Sequence, residues 1–78
     1  MRTQSPADMR ARRVAPLSDR ELTVLQLVAY GKHYSDIAEE LFITLGYVKA
    51  LGSMAAQKLG AGGIAHAVAM ALRRGIIE

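Results

Sequence analysis

From Leu17 onward the apolar positions recur at intervals of three and four residues, broken by glycines and by small hydroxyl residues. Leu22, Leu25 and Ala29 share one side of a helix, and Val24, Leu27 and Val28 widen that stripe. Ser18 and Glu21 have the spacing of a capping box, in which hydroxyl and carboxylate each accept an otherwise unpaired backbone amide. Leu17 and Leu22 are placed for a hydrophobic staple around that cap. Gly31 supplies the left-handed residue that stops the helix, so the pattern predicts a helix over about 19–30.

A second helix is predicted over 35–41, with Ser35 as its cap, Asp36 at its positive end, and Ile37, Ala38 and Leu41 facing inward. "FITLG" carries the chain round a tight turn, with Phe42 and Ile43 expected beneath it and Thr44 as the next cap. A third helix follows over 45–59, with an inward stripe of Val48, Gly52, Ala55 and Leu59, and Gly60 ends it. After "GAGG" a fourth helix is predicted over 64–74. There Ile64, Val68 and Leu72 share a face beside Ala67, Ala71 and Gly75. No stretch alternates with period two, so the expected class is all-α.

Composition sharpens this picture. A chain of 78 residues allows one small domain, and with one Phe, three Tyr and no Trp its core must be aliphatic and alanine-rich. No cysteine is present, which excludes disulfides and thiolate metal sites. The apolar runs fall well short of the roughly 20 residues that span a bilayer, and no apolar segment follows the N-terminal arginines as a signal peptide requires. A cytoplasmic location and no membrane partner are therefore expected. The net charge is +3 and unevenly spread. Residues 1–16 carry Arg2, Arg10, Arg12 and Arg13 against Asp8. From Leu17 onward Arg20, Lys32, Lys49, Lys58, Arg73 and Arg74 are balanced by Asp19, Glu21, Asp36, Glu39, Glu40 and Glu78. The division expected is a basic arm at 1–16 and a neutral folded domain at 17–78.

Catalytic chemistry is not visible. His33 and His66 are far apart in sequence, and neither has a carboxylate or a second histidine four residues on, so no metal site is expected. Ser18, Ser35 and Ser53 have no histidine base at a useful spacing. "GAGG" lacks the preceding strand and the lysine of a phosphate loop. No enzyme, cofactor or small-molecule substrate is expected.

A short helix, a tight turn with a threonine cap and a longer helix form a helix-turn-helix, held together by Ile37, Ala38, Leu41, Ile43 and Val48. "LSDRELTVLQLVAYGKHYSDIAEELFITLGYVK", then "KLG", then "AVAMALRRGII" resembles the LuxR/GerE-type DNA-binding domain of bacterial regulators, over about residues 17–77. The resemblance implies a four-helix module that binds double-stranded DNA, with the third helix in the major groove and the fourth supplying a dimer contact. The departures concentrate in the third helix. Where such domains present Glu-Lys-Thr and Asn-His, this chain has Leu45, Gly46, Tyr47, Ala50 and Leu51, and the inward aliphatics of that helix shrink to Gly52 and Ala55.

The DNA-contact residues expected on this basis are Thr44, Tyr47, Lys49, Ser53, Gln57 and Lys58, with Arg10, Arg12 and Arg13 of the arm. Lys49 is assigned to phosphate because the corresponding lysine of the resembling domains sits at the backbone. The competing expectation is a helix-turn-helix scaffold turned to protein binding. RNA polymerase, a sigma factor or another regulator would then dock on an apolar flank of Tyr47, Leu51 and Met54; the alternative for Tyr47 and Leu51 is repacking partly into the core, where Gly52 and Ala55 let the third helix sit closer to the first two. On the fourth helix, Met70 and an alanine strip are expected outside, serving a weak homodimer.

Overall fold

The structure is a computed structural model that describes residues 16–78. Four helices follow one another: α1 (Asp19–Ala29), α2 (Tyr34–Leu41), α3 (Leu45–Leu59) and α4 (Ile64–Arg73). Among the described residues there is no strand. The all-α expectation holds, with helix limits within about a residue of those read from the pattern.

The capping box at the head of α1 is complete. The Glu21 amide donates to Ser18 Oγ at 3.1 Å, and the Ser18 amide donates to Glu21 Oε1 at 2.8 Å. Gly31 (φ 92°) and Gly60 (φ 73°) both adopt the left-handed conformation that ends α1 and α3. The following amides reach back into the helices, Lys32 to the Leu27 carbonyl at 3.1 Å and Ala61 to the Ala56 carbonyl at 2.8 Å.

The core has two lobes joined through α3, which packs against all three other helices. In one lobe Val24, Ile37, Ala38, Val48 and Leu51 bring together α1, α2 and the first half of α3. In the other, Leu25, Ala55, Ala56, Leu59, Ala67, Ala71 and Ile77 join α1, the second half of α3 and α4. Leu17 and Leu22 pack on the edge of the second lobe, as the staple requires.

Several expectations are corrected. The cap position of α2 is His33, not Ser35, and its side chain makes no capping bond. Tyr34 enters the core and takes the first helical position, which leaves Ser35 exposed within the first turn. Phe42 is not beneath the turn but 94% exposed. It closes α2 in the left-handed conformation (φ 58°), which swings its ring outward while half-buried Ile43 points in and donates its amide to the Ala38 carbonyl at 3.0 Å. On α4 the inward line is Ala67 and Ala71, with Ile64 and Val68 packed beside them. Leu72 is exposed, while Ile77, beyond the left-handed Gly75, is buried in the second lobe.

Gly52 has a specific structural reason. A Cβ built there would lie 2.5 Å from Tyr34 Oη and 3.3 Å from Tyr34 Cζ, so the missing side chain on α3 is the space that the tyrosine of α2 occupies. At this inward position of α3 the bulk is supplied by Tyr34 of the facing helix.

Candidate nucleic-acid interface

The candidate interface is the outer side of α3. Thr44 caps this helix, its Oγ1 accepting the Tyr47 amide at 3.1 Å, and so sets where the helix begins and which residues face out. Val48, Leu51, Gly52, Ala55, Ala56 and Leu59 are buried. Gly46, Lys49, Ala50, Ser53 and Gln57 are exposed and, at steps of three and four, line one outward strip. Leu45 flanks this strip on one side, and Tyr47 and Met54 flank it on the other, all between 43% and 46% exposed.

The sequence-derived site residues divide accordingly. Lys49, Ser53 and Gln57 stand together on the outward strip, with Tyr47 beside them and Thr44 at the head of the helix. Leu51 does not belong to an outer flank: it is buried with Val24, Ile37 and Val48. Repacking explains this, because Gly52 and Ala55 let α3 sit close to α1 and α2 and draw the leucine inward. Met54 remains outside. Met70 is half-buried rather than outside, because α4 turns Ala67 and Ala71 toward the core and so tilts Met70 partly in; Leu72 and Ile76 are the exposed apolar residues at that end. Arg10, Arg12 and Arg13 lie outside the described residues.

Lys58 points toward the fold. Its ammonium is 2.9 Å from Glu21 Oε1 and donates to the Pro16 carbonyl at 3.2 Å. Glu21 itself is buried, an outcome invisible in the periodicity because the capping box alone accounts for that residue. Burial pushes its carboxyl pKa up. The Ser18 amide, the Lys58 ammonium and the Ser18 hydroxyl outweigh that effect and hold it below its ordinary value of 4.5. A lysine so engaged is a structural counter-ion, and its assignment to DNA is withdrawn.

Arg20 is the residue that sequence reasoning missed. Its guanidinium carbon lies 5.8 Å from the centroid of the Tyr47 ring, so a cation from the first turn of α1 stands at the flank of α3. It pairs with no carboxylate among the described residues. The signal was present in the sequence as one more balanced charge, and only the approach of α1 to α3 gives it a place. On α2, Asp36, Glu39 and Glu40 are exposed, and Glu40 pairs with Lys32 at 3.5 Å.

Among the described residues no three His, Asp or Glu side chains gather as a metal site would need, and no helix is long and apolar enough to cross a membrane. Residues 15–71 match the family model of bacterial regulatory proteins, luxR family. The chain belongs to the luxR family. The structure of the transcription factor GerE superposes on this luxR-family chain with a TM-score of 0.75 and 32% identity, covering 80% of this chain and 92% of GerE. The uncharacterized transcriptional regulatory protein YxjL of Bacillus subtilis is 43% identical over 63 residues, which are 81% of this chain and 29% of YxjL. The virulence factors putative positive transcription regulator BvgA of Bordetella pertussis is 36% identical over 63 residues, 81% of this chain and 30% of BvgA. The luxR-family chain therefore spans about a third of the length of these two relatives, and the part it shares with them is the helix-turn-helix domain of DNA-binding transcriptional regulators.

Proposed function

We propose that this luxR-family chain binds double-stranded DNA with α3 in the major groove and regulates transcription from that position. The observation that carries the proposal is the outward strip of α3, which combines an exposed lysine with small side chains on the helix that such domains insert. Lys49 contacts phosphate. Arg20, steadied against Tyr47, contributes a second cation at the flank. The arm, through Arg10, Arg12 and Arg13, adds sequence-independent affinity, because its charge excess is the excess of the whole chain. A weak homodimer through α4 is part of this reading, supported by exposed Leu72 and Ile76 beside Met70.

A second reading has one observation in its favour: the neutral folded part exposes Phe42, Leu45, Tyr47 and Met54 around α3, an apolar surface that suits a protein partner in the transcription machinery. A gel mobility assay with random-sequence duplex at two salt concentrations separates the two. DNA binding that weakens steeply with salt supports the first, and its absence at low salt supports the second. Deleting residues 1–16 should lower the affinity and flatten the salt slope.

A further inference from the structure

The outward strip of α3 raises a question of specificity that DNA binding alone does not answer. In a helix-turn-helix the N-terminal part of the recognition helix meets the base edges. Here that part offers Leu45, Gly46, Lys49 and Ala50, with Tyr47 at the flank beside Arg20. Bidentate readout of guanine or adenine needs Arg, Lys, Asn or Gln, and the one residue of that kind in this half is Lys49. Gln57 lies about 18 Å further along the axis from Leu45 at the α-helical rise, beyond the part of the helix that enters most deeply.

Gly46 adds an independent observation. A Cβ at this position would meet nothing within 4 Å, and its backbone is ordinary helix. Nothing inside the fold asks for glycine there, although alanine would favour the helix. Gly52, by contrast, is filled by Tyr34. A glycine without an internal reason, on the face turned toward the ligand, lets the helix backbone come close to an outside surface.

We propose that the chain selects its DNA sites by their C5-methyl groups: Leu45 and Ala50 pack on thymine methyls in the major groove, and Gly46 lets α3 approach closely enough for that contact. The inference rests on the DNA-binding reading and deepens it. The thymine methyl is the apolar feature of the major-groove edge, and exposed apolar side chains are its complement. A methyl reader also accepts 5-methylcytosine, which carries its methyl at the same ring position. Sites with cytosine at a read position should therefore bind more tightly once methylated.

The test uses the full 78-residue chain and a duplex enriched from a random pool by binding to it. Fluorescence anisotropy compares this duplex with versions in which each thymine in turn is replaced by deoxyuridine, which removes the methyl and leaves pairing intact. Loss of about 4-fold in affinity per read position is expected, the value of one buried methyl group. At those positions 5-methylcytosine paired with guanine should bind better than cytosine. Leu45→Ala and Ala50→Ser, both at exposed positions, should remove the deoxyuridine penalty while the helical circular dichroism is unchanged. Gly46→Ala should weaken DNA binding without lowering the melting temperature. If the chain binds the duplex and deoxyuridine changes nothing at any position, methyl readout is wrong while DNA binding stands. If no duplex is bound at low salt, the DNA-binding reading itself fails, and this inference with it.

Discussion

The Lys58 ammonium lies 2.9 Å from Oε1 of Glu21, a carboxylate only 1% exposed that also closes the cap of α1. One contact ties the end of α3 to the start of α1. Removing the lysine leaves a buried carboxylate without its counter-ion, which costs more than a surface pair is worth. Lys58→Met should lower stability by roughly 3 kcal/mol in urea unfolding. A loss below about 0.5 kcal/mol would mean that solvent compensates Glu21.

The same pair sets a pH dependence. Glu21 is held below its ordinary 4.5, so its stabilising effect is fully present above the unfolded value and is lost as pH falls through the folded value. Thermal melts of the wild type should show stability declining below about pH 4.5 more steeply than melts of Glu21→Gln. Parallel curves for the two proteins would show that the acid-sensitive step lies elsewhere.

Tyr34 and Gly52 form a second coupled pair. Gly52→Val places side-chain atoms where the Tyr34 ring now lies and should destabilise by about 1–3 kcal/mol, the range for overpacking. In a Tyr34→Ala background the same change should cost less or stabilise, because the space is then open. Additive effects in this double-mutant cycle would refute the exchange of bulk between the two helices.

Ile77 closes the second lobe of the core, and beside it the Gln26 side chain is bonded at both ends to Glu78, its Nε2 to the carbonyl at 2.7 Å and its Oε1 to the amide at 3.0 Å. Ile77→Ala should cost about 2 kcal/mol or more and Leu72→Ala much less, although the repeating pattern of α4 favours the opposite order. Chemical denaturation of the two variants checks the ranking directly.

The elements were legible because their signals are local. Ser18 with Glu21, Thr44, and the glycines at 31 and 60 mark helix ends by backbone chemistry that hardly depends on the rest of the chain. The helix-turn-helix was legible for the same reason, together with the resemblance. The residues misplaced from sequence are those decided by contacts distant along the chain. Leu51 is inside because Gly52 and Ala55 admit close packing, Lys58 is engaged because Glu21 is buried, and Leu72 is out because Ile77 returns to the core. Phe42 is different: its apolarity suggested burial, and its left-handed backbone turned it into water. On the candidate interface Lys49, Ser53 and Gln57 could be found by counting along one helix, whereas Arg20 could not, because its neighbour Tyr47 belongs to another.

The most direct test of the account is the salt dependence of binding to a random-sequence duplex, measured by anisotropy for the wild type, Lys49→Ala and Gln57→Ala. Log affinity should fall linearly with log salt, Lys49→Ala should weaken binding about equally on every sequence and reduce the slope by about 1, and Gln57→Ala should leave the slope unchanged. A Lys49→Ala variant that keeps the wild-type slope, or a wild type that binds no duplex at about 50 mM salt, would contradict a DNA-facing α3.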